Sequence, residues 1–206
     1  MKTIYLIRHS EQLKDNGIIN TDDTEQLLNE KIILSIDGEE KAKQLSEIAE
    51  LNNIDILWSS SYVRAKATAK YIAYKNNIPI NIDNRFNERK LGNIEELKKL
   101  GERYSLTFTE EQLLDKKLKN INGESREEVN KRMTKAINEI LVDNENKKIV
   151  IVSHGAAIKF YLMNFCTLND EIKLEYKNNI LDFSQPSVIK LEFNNYKIVN
   201  IKNINI

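Results

Sequence analysis

Ile4-Tyr5-Leu6-Ile7-Arg8-His9-Ser10 and Ile149-Val150-Ile151-Val152-Ser153-His154-Gly155 repeat one pattern at opposite ends of the chain. In each, four apolar residues rich in β-branched or aromatic side chains run into one polar residue and then a histidine. Apolar runs this short read as buried strands of a parallel sheet. Ligands of open α/β sheets bind just beyond the carboxyl ends of the strands. His9 and His154, the two histidines of the chain, therefore fall where such a sheet presents its chemistry. Taken alone, the first stretch fits equally well a strand that ends in a solvated Arg and an incidental His. Its near-copy makes that coincidence harder to sustain. Parallel strands end on the same side, so the two histidines converge if their strands are neighbours.

Between the two stretches, strand and helix signals alternate. Asp37 reads as the N-cap of a helix that places Ala42, Leu45, Ile48 and Ala49 on one face. Ile54 to Trp58 reads as a short strand. Ser59-Ser60-Ser61 then offers a cap for a helix from about Tyr62 to Tyr74. Ile78 to Ile82 alternates and contains Pro79, which suits an edge strand. Lys90 to about Lys119 carries helical periodicity broken at Gly101. Asn122-Gly123-Glu124-Ser125 is a turn, with Ser125 capping a long amphipathic helix through Val129, Met133, Ile137 and Ile140. A helix from Ala156 to about Phe165 follows the second histidine. Ser187 to Phe193, a turn at Asn194-Asn195 and Lys197 to Ile201 form an antiparallel hairpin. Glu11 to Leu34 is a long polar connection, either a functional loop or a partly helical excursion. No linker or composition break divides the chain. The expectation is a single domain over residues 1–206, a three-layer α/β/α sandwich around a mainly parallel central sheet.

Composition narrows the function. The chain has 206 residues, and Lys+Arg and Asp+Glu both total 31, so it lacks the basic excess of a sequence-independent nucleic-acid binder. It leaves room for a local basic pocket around one small anion. Cys166, the single cysteine, lies in an apolar helix-like run and suits packing in a reducing compartment. Two histidines and one cysteine provide no zinc cluster. No window approaches the roughly 18 apolar residues of a membrane span, and the N-terminal apolar run is too short for a signal peptide. The expectation is a cytoplasmic protein without nucleic-acid or membrane partners; nothing in the sequence selects an oligomeric state.

Two arginines extend the histidine pair. Arg8 precedes His9, and Arg64 lies in the first turns of the helix after the second strand. The helix that starts after His154 presents N–H groups that favour an anion. Together these describe a phosphate pocket with a nucleophile in it. Arg offers bidentate bonds to phosphate oxygens, and a neutral imidazole can attack phosphorus to form a phosphohistidine. The arginines and His154 supply the positive charge, so the pocket calls for no metal and no other cofactor.

In this order the residues resemble the histidine phosphatase superfamily, the phosphoglycerate mutase-like fold. Its opening RHG is matched by Arg8-His9-Ser10 and its LTxxGxxQA stretch by Leu34 to Ala42. Its SSPLxRAxxTA motif corresponds to Ser59 to Ala69, and its NERxxG motif to Asn87-Glu88-Arg89-Lys90-Leu91-Gly92. The GESxxEVxxR helix start is Gly123 to Arg132, and the closing SHG is Ser153-His154-Gly155. The resemblance implies that His9 is the phosphorylated nucleophile, that Arg8, Arg64 and His154 hold the phosphoryl group with Gly155 beside it, and that Glu88 protonates the leaving oxygen. An alkoxide leaving group at neutral pH needs such an acid. Arg89 either holds substrate, as in mutase-like members, or is a surface charge. The chain departs from the family at Ser10, where Gly is usual. Ser10 therefore either fits a Gly-like backbone at some cost or contributes a hydroxyl to the substrate. Gln12 replaces a Thr or Ser, Ser61 replaces a Pro, and Ile94-Glu95-Glu96 replaces WEG.

The expected activity is a phosphomonoester phosphatase acting on a small phosphorylated metabolite. A phosphoglycerate mutase is the alternative within the family, kept open by Asn87-Glu88-Arg89. It is disfavoured by the short span between Glu88 and His154, which leaves little chain for a water-excluding lid. A non-catalytic phosphate-binding regulatory protein is the alternative outside enzymology, for which Ser10 and Gln12 leave room.

Overall fold

Side chains alternate across a strand, so the first apolar run must bury two faces: Ile4 and Leu6 on one, Tyr5 and Ile7 on the other. A computed structural model describing residues 2–13, 23–93, 110–142 and 144–206 shows both faces covered. Strand β1 (Lys2–Arg8) lies inside a six-stranded sheet with β2 (Ile56–Ser59), β3 (Ile80–Ile82), β4 (Lys148–Ser153), β8 (Ser187–Asn194) and β9 (Lys197–Ile204), in the order β3-β2-β4-β1-β8-β9. The pairs β3/β2, β2/β4 and β4/β1 are parallel, and the two C-terminal strands close one side antiparallel. The sheet is thus mainly parallel, and the Pro79 segment leads into an edge strand as its sequence requires.

One face packs Tyr5, Ile7, Leu57, Val150 and Val152 against helices α2 (Ile36–Ser46) and α3 (Val63–Asn76), through Leu45, Ala65, Ala69 and Ile72. The other packs Ile4, Leu6, Ile149 and Ile151 against α5 (Arg126–Val142) and α6 (Gly155–Leu162), through Met133, Ile137, Ala157 and Ile158. This is the three-layer α/β/α arrangement. Its two cores are built from the two phases of the same strands.

Several local expectations need correction. The N-cap of α2 is Ser35, whose hydroxyl accepts from the Gly38 N–H at 2.9 Å, while Asp37 lies inside the first turn. An acid there still complements the helix dipole. The cap position of α3 is Tyr62, with no side-chain cap, because the serine hydroxyls before it are spent on other partners. Ser125 does cap α5, accepting from the Glu128 N–H at 3.2 Å. The polar connection after β1 contains a short helix, α1 (Glu25–Lys31), capped by Thr24. Of the periodic segment from Lys90 to Lys119, only α4 (Glu110–Leu114) is helical among the described residues; residues 90–93 and 115–119 are irregular or turn, and residues 94–109, with Gly101, lie outside the described residues. A small antiparallel sheet of β5 (Thr167–Leu168), β6 (Leu174–Tyr176) and β7 (Asn179–Ile180) had no signal, since its strands are two or three residues long.

The start of α2 is pressed against the chain leaving β1. The Ser35 N–H donates to the Glu11 carbonyl, and a Cβ added at Gly38 would lie 2.0 Å from that same oxygen. Only a residue without a side chain fits there. Gly38→Ala is therefore expected to lower unfolding free energy in urea by about 1–3 kcal/mol, the usual cost of overpacking. Ile36→Ala, two residues away and 91% exposed, should stay within about 0.5 kcal/mol of the parent protein.

Candidate active site

The sheet register decides which side chains meet. Arg8 pairs with Ser153 across β1/β4, and Ser59 pairs with Val152 across β2/β4. Three strands therefore end level, and backbone bonds from His9 N–H to the Ser153 carbonyl and from Ser60 N–H to the Val152 carbonyl extend the ladder one step further. His9 and His154 are brought to a ring-centroid distance of 5.0 Å, edge to face. Both are buried.

The hydrogen bonds define how His9 is held. A carbonyl only accepts, so the 2.7 Å contact between His9 Nδ1 and the Ser10 carbonyl makes Nδ1 the protonated nitrogen. Burial, with Arg64 next in effect and Arg8 adding to it, holds the imidazole well below its ordinary pKa, so the ring is neutral. Its lone pair is then on Nε2, where it accepts from Arg64 Nε at 3.1 Å. His154 is fixed differently. The Ser61 N–H donates to Asn87 Oδ1, which identifies that atom as the oxygen, and Ser60 Oγ gives its single hydrogen to it at 2.8 Å. The 2.8 Å contact between His154 Nε2 and Ser60 Oγ must therefore be donated by the imidazole. His154 Nδ1 is buried without a partner. Burial, then Arg64 and His9, hold this ring well below its ordinary pKa too.

The arginines flank this pair. Arg8 reaches the Phe183 carbonyl with one Nη, while its Nε is buried with no partner. Gly155 makes room for it, since a Cβ there would meet Arg8 Nε at 3.0 Å. Arg64, 3% exposed, crosses the Tyr62 ring at 5.1 Å and extends its two Nη atoms to the carbonyl and side chain of Asn29 on α1. Gln26 on the same helix donates to the Tyr62 hydroxyl at 2.6 Å. Burial pushes both guanidinium groups down while Glu88 acts in the opposite direction, and each keeps its charge.

The helix start after His154 does hold an anion, and that anion belongs to the protein. Glu88 accepts from the N–H groups of Ala156 and Ala157 at 3.2 and 3.0 Å, and from the Arg89 N–H at 2.8 Å. A carboxylate at a helix N-terminus is electrostatically favoured. The loop that carries it is clamped from α5: Arg132 donates to the carbonyls of Arg85, Asn87 and Glu88 and pairs with Glu124 at 2.8 Å. Burial pushes the Glu124 carboxyl up, but its bond and charge contact with Arg132 outweigh this and leave it below its ordinary value.

Two expectations change here. Ser10 has no exposed surface and donates its hydroxyl to the Gly38 carbonyl at 2.7 Å. Its backbone is not among the positive-φ positions. It therefore needs no Gly-like conformation, and its hydroxyl is bonded to the first turn of α2. Arg89 is no surface charge: it is 2% exposed and donates to Gln112 of α4, which in turn bonds Asn120. Asn87, Arg132 and Thr68 were quoted within motifs without a role. The signal for the first two was their place beside the Glu88 loop and at the end of the Gly123–Arg132 motif. For Gln12, the backbone bridges to Leu34.

The sequence profile of the histidine phosphatase superfamily (branch 1) matches residues 4–205. The chain belongs to that family. It is 30% identical over 186 residues to a probable phosphoglycerate mutase of Erwinia tasmaniensis, covering 86% of this chain and 82% of the relative. It is 31% identical over 165 residues to an uncharacterised phosphatase of Bacillus subtilis, covering 77% and 74%. Among solved structures, a mycobacterial glucosyl-3-phosphoglycerate phosphatase superposes with a TM-score of 0.67 at 17% identity, over 98% of this chain and 96% of that one. At that identity the likeness speaks for the fold alone. Among the described residues no helix is long and apolar enough to cross a membrane, and no group of three metal-ligating side chains occurs.

The neutral histidines make stability depend on pH. Below about pH 6.5 the unfolded chain protonates both imidazoles while the folded protein does not. The unfolded state then binds more protons, so stability is full above that pH and falls on acidification, by up to about 1.4 kcal/mol per pH unit per histidine. Urea midpoints should drop between about pH 7.5 and 5.5, and His154→Asn should lessen the slope. A midpoint that does not change over that interval would exclude neutral buried rings.

Proposed function

We propose that the protein is a phosphomonoester phosphatase that works through a phosphohistidine on His9. The observation that carries this reading is the state of that ring: neutral, buried, with Nδ1–H committed to a carbonyl and the Nε2 lone pair at the end of the parallel strands beside two arginines. The lone pair attacks phosphorus, an N–P bond forms and the P–O bond to the leaving group breaks. Arg8 and Arg64 follow the charge on the phosphoryl oxygens in a buried site, where such contacts are stronger than in bulk water. His154 lies edge to face against the nucleophile; with Nε2–H on Ser60 it walls the pocket, and it donates to a phosphoryl oxygen only on taking up a proton at its unpartnered Nδ1. Gly155 lets Arg8 approach. Glu88 takes up a proton as the phosphate ester binds, gives it to the departing oxygen, then takes one from the water that cleaves the N–P bond, releasing phosphate and free His9. No step passes through a metal or other cofactor. Ser10 and Arg89 have no direct part and support the elements around the site. The substrate is a small phosphorylated metabolite.

The matching family and the relative named as a phosphatase support this reading. The relative named as a probable phosphoglycerate mutase supports a second, in which the phosphoryl group passes to another hydroxyl instead of water. Incubation with para-nitrophenyl phosphate, an alkyl phosphate panel and 3-phosphoglycerate separates them. We expect hydrolysis that His9→Ala reduces to background, with an acid-labile phosphoenzyme trapped only when His9 is present. Glu88→Gln should slow alkyl esters by about 10²–10⁴-fold and the aryl ester far less, because nitrophenolate leaves without a proton. Interconversion of phosphoglycerates without net phosphate release would establish the mutase instead. Absence of both activities and of phosphoenzyme would refute catalysis.

A further inference from the structure

One buried hydroxyl is tied to both nitrogens of the His9 ring. Thr68 sits in α3, one turn beyond Arg64, with no exposed surface. Its Oγ donates to the Arg64 carbonyl at 2.9 Å, the ordinary back-bond of a helical threonine. That leaves a lone pair, which accepts the Ser10 N–H at 2.9 Å from the loop after β1. Ser10 is thereby held at three points: its N–H by Thr68, its hydroxyl by the Gly38 carbonyl, and its carbonyl by His9 Nδ1. Meanwhile the Arg64 side chain, one turn back on the same helix, donates to His9 Nε2.

The contacts close a ring from Thr68 through Ser10 to His9 Nδ1, and from His9 Nε2 through Arg64 back to Thr68. We propose that Thr68 is a positioning residue for the nucleophile: by clamping Ser10 it aims the Ser10 carbonyl at Nδ1 and so fixes the His9 tautomer that places the attacking lone pair on Nε2, where Arg64 Nε holds it until a phosphoryl group displaces that bond. This rests on the reading of His9 as the nucleophile. Chemistry supplies the logic. A neutral imidazole has two tautomers of similar energy, and the partner of one nitrogen selects which of them carries the proton. A backbone carbonyl makes that choice only if the residue bearing it cannot turn. Ser10, placed between a strand end and a loop, has no helix or sheet ladder to stop it.

The test compares Thr68→Val, which keeps the shape and loses both bonds, with Thr68→Ser, which keeps them. The first readout is the ¹⁵N spectrum of His9, which separates protonated from lone-pair nitrogens without reference to activity. The second is steady-state hydrolysis of para-nitrophenyl phosphate. Thr68→Val is expected to give mixed His9 tautomers and a kcat lower by roughly 10- to 100-fold with KM within about twofold, as for a displaced reacting group. Thr68→Ser should match the parent protein in both. If Thr68→Val does not fold, Thr68→Ala provides the same comparison with less burial strain. A folded variant without the hydroxyl whose His9 keeps the parent nitrogen pattern overturns the proposal, whatever its rate. Failure of the phosphatase reading is separately visible, as hydrolysis that persists in His9→Ala, whereas the Thr68 variants report the His9 nitrogen pattern with His9 intact.

Discussion

The parallel pairing of β1 with β4 is the constraint on which the site depends. It places Arg8 opposite Ser153 and lets the His9 N–H bond to the Ser153 carbonyl, so two stretches remote in sequence end at the same height. A register shift of one residue would turn each strand's inward side chains to the opposite layer. That would cost both cores at once, because β1 and β4 are buried on both faces. The energy that fixes the catalytic geometry is therefore hydrophobic, and it is supplied by the strands that lead up to the histidines.

On that frame, polar contacts supply the fine adjustment. Ser60 and Asn87 orient His154, the Ser10 carbonyl orients His9, and Arg132 holds the loop of Glu88. These are bonds between buried or half-buried groups, for which a lost partner leaves an unsatisfied atom and a correspondingly large penalty. Neutrality of both rings leaves the Glu88 carboxylate facing two guanidinium groups, so the arrangement keeps a net positive charge.

The fold was legible in the sequence because its signals are periodic. The continuous apolar runs of β1 and β4, buried on both faces, the amphipathic stripe of α5 and the terminal hairpin all follow from the spacing of apolar residues. The paired histidines after similar strands pointed to the site for the same reason. What the sequence hid were choices between equivalent hydrogen-bond partners. Ser35 and Asp37 both suit an N-cap, and only the close approach of Gly38 to Glu11 selects the serine. Ser10 offered either a hydroxyl contact or a strained backbone; its backbone is unstrained and its hydroxyl bonds the Gly38 carbonyl, a partner remote in sequence. Arg89 read as a substrate contact or a surface charge until Gln112, distant in sequence, was seen beside it. The tautomer of His154 depends on Asn87, which carries no periodic signature at all.

Helix α1 stands apart from this economy. It buries none of its residues and meets the site through Asn29 on Arg64 and Gln26 on Tyr62. Its sequence is therefore nearly independent of the sheet: substitutions along it alter what surrounds the pocket while leaving both cores intact. The residues that hold the sheet and those that back Arg64 and Tyr62 from α1 lie in different parts of the chain, so this segment can change without the protein first acquiring a reserve of folding energy.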